Sequence, residues 1–243
     1  MVARASALLG LFTVLVVYYE TTSHLWEWGV WGNVAWITCV LIPAVFLLVW
    51  LALPLRESRA LLFLAPGFVV LAVILTWIEN DLWSNFARLA AAALVGWLFL
   101  LVFESVSWVA LVAAIIPFVD SVSVWRGPTK TITTKHPKVF DVLSFSFPSP
   151  GGHSGGQLGM PDVLFFALFL AASARFQLRV AWTFVGMVVG LGLTFAATAE
   201  FQTLGLPALP GIALGFLVPN ADLIWPTVKE SWKASRRKPA AHE

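Results

Sequence analysis

The sequence predicts an all-α protein, a polytopic membrane helix bundle with about eight transmembrane helices. Of its 243 residues, 59% are hydrophobic and only 12% are charged, with a mean hydropathy of +0.86. Soluble domains carry roughly 25% charged residues, so most of this surface is expected to face lipid. Long apolar runs recur along the chain, and several of the 13 tryptophans flank them, as in an interfacial aromatic belt.

Eight apolar runs predict eight helices, because a spanning helix needs about 17–25 mostly apolar residues. The first run is short and follows Arg4, but no small-residue cleavage pattern comes after it, so an anchor helix is predicted rather than a signal peptide. Residues 86–124 are too long for one span, and Glu104 and Ser105 are predicted to mark a tight hairpin within them. The predicted helices are Ala5–Tyr19, Val30–Leu53, Ala60–Ile78, Phe86–Phe103, Ser105–Val124, Pro161–Phe176, Val180–Ala199 and Pro207–Trp225.

One long polar stretch, residues 125–160, divides the chain. It separates a five-helix part, residues 1–124, from a three-helix part, residues 161–225, which a basic tail, residues 226–243, follows. Alternating patterns at Thr129–Thr134 and Val139–Phe147 predict short strands. The end of the loop, 148–156, is rich in Pro, Gly and Ser, which predicts flexibility. The loop is either a gate over a site or a plain solvated linker.

Charge and cysteine content narrow the function classes. The formal net charge of +2 is too small to indicate nucleic-acid binding, so the predicted partner surface is the lipid bilayer. With the N-terminus inside, ten of the 15 Lys and Arg residues lie on the inner side, which predicts that both termini are cytoplasmic. The single Cys39 forms no internal disulfide. No His, Cys and Glu cluster has metal-ligand spacing, and no cofactor is predicted.

Two aspartates stand at the ends of apolar runs. Asp120 closes the run Ala110–Val124, and Asp162 opens the run Val163–Ala174. A carboxyl at membrane depth is energetically expensive and usually functional. Each also has a simpler interpretation, since Asp120 could be hydrated near a membrane face and Asp162 could cap a helix after Pro161. The pair, together with the later Pro-Ala-Leu-Pro element, predicts a shared catalytic site.

A serine motif competes with this interpretation. The stretch Gly152-His153-Ser154-Gly155-Gly156 matches the G-x-S-x-G nucleophile elbow. That elbow needs a strand before it and a helix directly after it, whereas this stretch follows Pro150-Gly151 and continues into loop. All four histidines lie in predicted loops or the tail, so no base in a membrane helix is available to Ser154. A catalytic serine is therefore disfavoured.

Three short motifs follow one another along the chain. They are Phe118-Val119-Asp120-Ser121, Leu158-Gly159-Met160-Pro161-Asp162 and Pro207-Ala208-Leu209-Pro210. In order and spacing they resemble the Tyr-Asp helix, the Gly-x-Gly-Asp helix and the Pro-Ala-Leu motif of the presenilin and signal peptide peptidase family of intramembrane aspartyl proteases. The resemblance covers about residues 100–225. It departs from the family pattern at Val119, which replaces Tyr, and at Pro161, which replaces Gly.

The resemblance implies a presenilin-like fold and an Asp120/Asp162 dyad that hydrolyses peptide bonds within membrane helices. It implies substrates that are transmembrane helices or signal-peptide remnants, with a topology similar to signal peptide peptidase. Two other functions stay open, a catalytically inactive helix-binding relative, which Pro161 favours, and a small proton-coupled transporter. The residues that the resemblance places against the substrate are Gly159, Met160, Pro161, Pro207, Ala208, Leu209 and Pro210.

Overall fold

The computed structural model describes residues 2–126, 141–151, 155–203 and 205–236, and it is mostly helical. Short 3₁₀ turns at Thr22–His24, Leu53–Glu57 and Val218–Asn220 extend or join the helices. The elements in chain order are α1 (Val2–Thr21), α2 (Val30–Trp36), α3 (Ile42–Ala52), α4 (Leu61–Trp77), α5 (Asp81–Leu100), α6 (Val106–Arg126), β1 (Ser144–Phe147), β2 (Gly156–Gly159), α7 (Met160–Arg175), α8 (Val180–Glu200), α9 (Leu209–Leu217) and α10 (Ala221–Arg236).

Within the described residues, six helical segments are long and apolar enough to cross a membrane, which supports the predicted all-α fold class and a multi-pass membrane protein. Two further helices at predicted positions are shorter, α4 with 17 residues and α7 with 16. The count of eight membrane crossings therefore stays a prediction. The six segments are Val2–His24, Val30–Glu57, Asp81–Leu100, Val106–Arg126, Val180–Glu200 and Leu209–Glu230.

Proline and polar residues mark several points at which the helices are interrupted. A π turn at Ile37–Leu41 joins α2 to α3 just before Pro43, which cannot donate a backbone hydrogen bond. The predicted break at Glu104 and Ser105 is present, because the chain is not helical between Leu100 and Val106. The last predicted helix differs from the observed one, since it is interrupted at Val218–Asn220 and then continues as α10 beyond Trp225 to Arg236.

Helix α7 lies at the centre of the bundle. Residues Phe166 to Ala172 are all fully buried, and α5 packs along this helix. Gly96 on α5 makes the close approach possible, because a Cβ atom there would lie 2.4 Å from the carbonyl oxygen of Leu164. The helix that carries Asp162 is thereby held between neighbours on several sides, with little room to shift.

A glycine seam joins α8 to α9. We define it as Gly186 and Gly190 on α8 with Gly211 and Gly215 on α9. A Cβ on Gly190 would lie 2.3 Å from the carbonyl oxygen of Gly211, and one on Gly186 would lie 2.7 Å from that of Gly215. Two small-xxx-small motifs therefore let the two backbones touch, which is a common basis of helix association in membranes.

The polar loop contributes a β-hairpin that leads into α7. Strands β1 and β2 pair antiparallel with Ser144 opposite Gly159 and Phe147 opposite Gly156. Phe145, Phe147 and Leu158 are buried on one face of the hairpin. Strand β1 lies within the region predicted to form strands, β2 was not predicted, and the predicted strand at Thr129–Thr134 lies outside the described residues.

Candidate active site

Asp120 is held by the start of α9. The backbone N–H of Leu209 donates to Asp120 Oδ2 at 3.1 Å, and the N–H of Ala208 also hydrogen-bonds this carboxylate. Pro207 and Pro210 have no N–H, so in this element the two non-proline residues supply both donors, and both serve Asp120. The Pro-Ala-Leu-Pro element is therefore a binding site for the carboxylate of Asp120.

The position of this element at a helix end strengthens that contact. Ala208 is the N-cap of α9, and Pro210 lies in its first turn, where a missing N–H leaves no gap in the hydrogen bonding. The unpaired N–H groups and the dipole of a helix N-terminus attract a negative charge. The side chains of Ala208 and Leu209 are buried, so their contact with Asp120 is made by the backbone.

Asp162 lies in the first turn of α7, directly after β2. Gly159 is the N-cap of this helix, and its backbone N–H hydrogen-bonds the Asp162 carboxylate, as in a capping box. The capping interpretation of Asp162 thus describes a real contact. Pro161 is exposed in the same turn, where its missing N–H removes no helical hydrogen bond.

The structure brings the two aspartates together. Helix α6 contacts α7, both aspartate residues are half-buried, and their carboxylates are close enough to interact electrostatically. Each carboxylate is tied to the backbone at the N-terminus of a helix, Asp120 to α9 and Asp162 to its own helix α7. Helix capping and pairing are therefore compatible, because Asp162 caps α7 and faces the charge of Asp120 at the same time.

Gly159 matters here for space rather than for backbone conformation. Its φ of −60° is accessible to any residue. A Cβ atom at this position, however, would lie 3.2 Å from Asp162 Oδ2 and 3.5 Å from the ring of Pro161. A methyl group would crowd the carboxylate that the dyad needs.

For the peptide hydrolysis that the motif resemblance implies, Gly159→Ala should lower kcat by about three- to ten-fold, because displacement of a reacting group by 1 Å can cost about 10²-fold and this shift is a few tenths of an ångström. The measurement is the initial cleavage rate of a membrane-embedded reporter. Gly205→Ala is the control, because Gly205 also precedes a helix and a Cβ there meets nothing within 4 Å. Equal rates for the two variants would contradict this role of Gly159.

A groove runs beside Asp120 on the outer side of the glycine seam. It has a volume of about 650 Å³ and is lined almost entirely by apolar atoms. Its walls come from the end of α6 and from α8 and α9, and it reaches the Pro-Ala-Leu-Pro element. Lining residues near the dyad are Ser121, Pro207, Pro210 and Gly211.

The remaining predicted site residues have different surroundings. Met160 is half-buried, and its N–H donates to the carbonyl oxygen of Leu143 at 2.9 Å, which continues the hairpin register. His153 and Ser154, the disfavoured serine motif, lie outside the described residues. Among the residues that the structure describes, no group of three His, Cys, Asp or Glu side chains could hold a metal ion.

Sequence reasoning missed the residues that support the site. The glycine seam could have been read from two G-x-x-x-G patterns, Gly186 to Gly190 and Gly211 to Gly215. Asn85 and Arg88 on α5 donate hydrogen bonds to backbone carbonyl oxygens of β1. The sequence marks these two residues only as polar residues in an otherwise apolar helix. Neither a protein-family model nor a curated protein matches this chain.

Proposed function

We propose that this protein is an intramembrane aspartyl protease that hydrolyses peptide bonds in transmembrane segments through Asp120 and Asp162. The observation that carries the proposal is the meeting of two carboxylates from different helices, each held by backbone N–H groups. The sequence also favours this chemistry, because its three motifs resemble those of the presenilin and signal peptide peptidase family and occur in the same order. The proposal includes a presenilin-like bundle with eight crossings and cytoplasmic termini.

The reaction requires one carboxylate and one carboxylic acid. Two carboxyl groups in electrostatic contact share a proton more easily than they carry two charges. One member takes a proton from a water molecule, whose oxygen attacks the peptide carbonyl carbon. The other member protonates the carbonyl oxygen, which gives a gem-diol. When the C–N bond breaks, the first member passes the proton taken from water to the leaving amine, and the second recovers its proton from a gem-diol hydroxyl as the carbonyl re-forms. The titration belongs to the pair, so the two roles are not divided between Asp120 and Asp162.

The hairpin supplies a place for an unwound substrate. In the antiparallel register, Gln157 lies opposite Ser146, whose N–H and C=O both bond to Asn85 on the side away from β2. The N–H and C=O of Gln157 therefore point away from β1, toward the edge of β2 that no described strand covers. An extended substrate segment can pair there and run toward Asp162.

The groove offers a lateral path for a substrate helix. Its apolar lining suits a transmembrane segment, and its end near Asp120 is formed by Pro207 and Pro210. The substrate would have to unwind before cleavage, because the amides of an intact helix are hydrogen-bonded and shielded. Candidate substrates are transmembrane helices of other proteins and signal-peptide remnants in the same bilayer.

Cleavage of a helical membrane reporter by the purified protein tests the proposal. The expected result is hydrolysis within the membrane segment that a transition-state mimic of aspartyl proteases blocks. Binding of the reporter without hydrolysis would instead favour an inactive helix-binding protein. Reporter-independent proton flux in proteoliposomes, without cleavage, would favour the transporter.

A substitution at Pro161 distinguishes an active enzyme from an inactive relative. In the structure this residue fixes the first turn of α7 next to Asp162. Pro161→Gly should lower the initial cleavage rate about two- to five-fold, because a more flexible first turn holds Asp162 less firmly. The measurement compares wild type and variant on one reporter in one detergent. A silent wild type with an active Pro161→Gly variant would show that the natural chain is a pseudoprotease.

A further inference from the structure

The outer edge of β1 is covered by side chains instead of by another strand. Asn85 on α5 is 3% exposed and bonds to both backbone groups of Ser146. Its Nδ2 donates to the carbonyl oxygen at 2.9 Å, and its Oδ1 accepts from the N–H at 2.9 Å. This two-way pairing is the one that a neighbouring strand would make.

The same edge continues with further side-chain donors. The carbonyl oxygens of every second residue along a strand point to the same edge. At this edge of β1, and just beyond its end, three such carbonyl oxygens each accept a side-chain hydrogen bond. Tyr19 Oη donates to the same carbonyl oxygen that Asn85 binds, at 3.0 Å. The other two pairs are Arg88 Nη1 to Ser144 O at 2.9 Å and Tyr18 Oη to Pro148 O at 3.0 Å. This edge is therefore closed to any added strand.

We propose that Asn85 is a positioning residue for the dyad. Its side-chain amide takes the place of a third strand, anchors β1 to α5 and thereby sets the register and position of β2. Because β2 leads directly into the first turn of α7, the anchor determines where Asp162 stands and which edge of the sheet stays open. This inference rests on the proposed function. It adds that Asn85 sets the register of the hairpin and, through it, the position at which the substrate is cleaved.

A second buried asparagine provides a matched comparison. Asn220 is fully buried, and its Nδ2 donates to Thr183 Oγ1 and to the carbonyl oxygen of Phe216, each at 2.7 Å. Its Oδ1 accepts from the N–H of Arg179 at 2.9 Å. It lies 11 residues beyond Leu209, roughly 16 Å along the helix axis, and these hydrogen bonds do not reach the hairpin. Both asparagines stabilise the fold, but of the two only Asn85 bonds to β1.

The experiment uses the full-length protein with Asn85→Leu and Asn220→Leu. Each variant leaves buried backbone or side-chain groups unpaired, so both should lower the thermal unfolding temperature. Three further quantities are measured at matched folded fraction: kcat and KM, the distribution of cleavage positions in one reporter by mass spectrometry, and amide hydrogen exchange of residues 144–147 and 156–159.

Asn85→Leu should lower kcat by about ten-fold relative to Asn220→Leu, with additional cleavage positions and faster exchange in both strands, because Asp162 and the strand register are displaced together. Asn220→Leu should keep the wild-type cleavage positions and hairpin exchange. Equal cleavage patterns and equal hairpin exchange in the two variants would overturn the proposal.

Asn85→Ser covers the case in which Asn85→Leu does not fold. Its short side chain loses both bonds to Ser146 but leaves room for water to pair with the freed groups, so a smaller change in the same direction is expected. Wild-type exchange and cleavage positions in that variant would overturn the proposal. If wild-type protein cleaves no reporter, the proposed function fails, while hairpin exchange in the Asn85 variants still decides whether Asn85 anchors β1.

Discussion

Replacing either Asp120 or Asp162 with asparagine should reduce cleavage by about 10⁴-fold, because each substitution removes a general acid or base that contributes up to about 10⁴-fold. The asparagine side chain keeps the shape of the carboxyl group and one acceptor oxygen, so the Leu209 N–H retains its partner in Asp120→Asn. The measurement is the single-turnover rate on a helical reporter, with folding followed by thermal unfolding in the same detergent.

The alanine variants separate catalysis from stability. Removing one of two neighbouring carboxylates relieves repulsion, which favours folding in both variants. Asp120→Ala also leaves the N–H groups of Ala208 and Leu209 without their acceptor. We therefore expect Asp120→Ala to have a free energy of unfolding about 1–2 kcal/mol below that of Asp120→Asn, the range of a lost helix cap. Asp162→Ala loses the bond to the Gly159 N–H together with the repulsion, so its free energy of unfolding should stay close to that of wild type.

Two outcomes would contradict the dyad. Cleavage at the wild-type rate by a folded Asp120→Asn or Asp162→Asn variant would exclude the aspartyl mechanism. Loss of cleavage only in Ser154→Ala, with both aspartate variants active, would restore the serine mechanism that the sequence disfavours.

Gly190→Ala should produce the second large effect, a loss of about 2 kcal/mol in the free energy of unfolding. The added Cβ would lie 2.3 Å from the carbonyl oxygen of Gly211, so α8 and α9 must separate, and overpacking of this kind costs about 1–3 kcal/mol. Because α9 begins with the N–H groups that hold Asp120, cleavage should also fall at temperatures where the variant is folded.

Gly10→Ala is the control for this prediction. Gly10 lies inside helix α1, and a Cβ there meets nothing within 4 Å. Both substitutions gain the same helix propensity, up to about 1 kcal/mol, so the difference between them reports the contact across the seam. Unfolding temperatures that change equally in the two variants would show that α8 and α9 can separate without loss.

The helices were largely predictable because lipid imposes a simple rule on sequence. Apolar runs of sufficient length located the helices, and the break before Val106 followed from two polar residues inside a long run. Strand β2 was not predicted, because Gly156 and Gly159 are poor strand formers and the stretch before them resembles a loop. Its pairing with β1 stabilises it instead.

The extent of the last helix was also mispredicted. Polar and charged residues follow Trp225, which predicted a tail, yet α10 continues to Arg236. Hydropathy indicates where a helix leaves the membrane rather than where it ends, since a helix can continue as a polar or amphipathic segment.

The sequence by itself determined the membrane class, the positions of the helices and the two aspartates with the element that follows them, because composition, run length and residue type are local properties. Only the tertiary structure decided what each group contacts. It directs the N–H groups of Ala208 and Leu209 to Asp120, fills the outer edge of β1 with Asn85, and brings Gly190 against Gly211. These contacts join residues far apart in the chain, and their geometry depends on how whole helices pack, which no local pattern encodes.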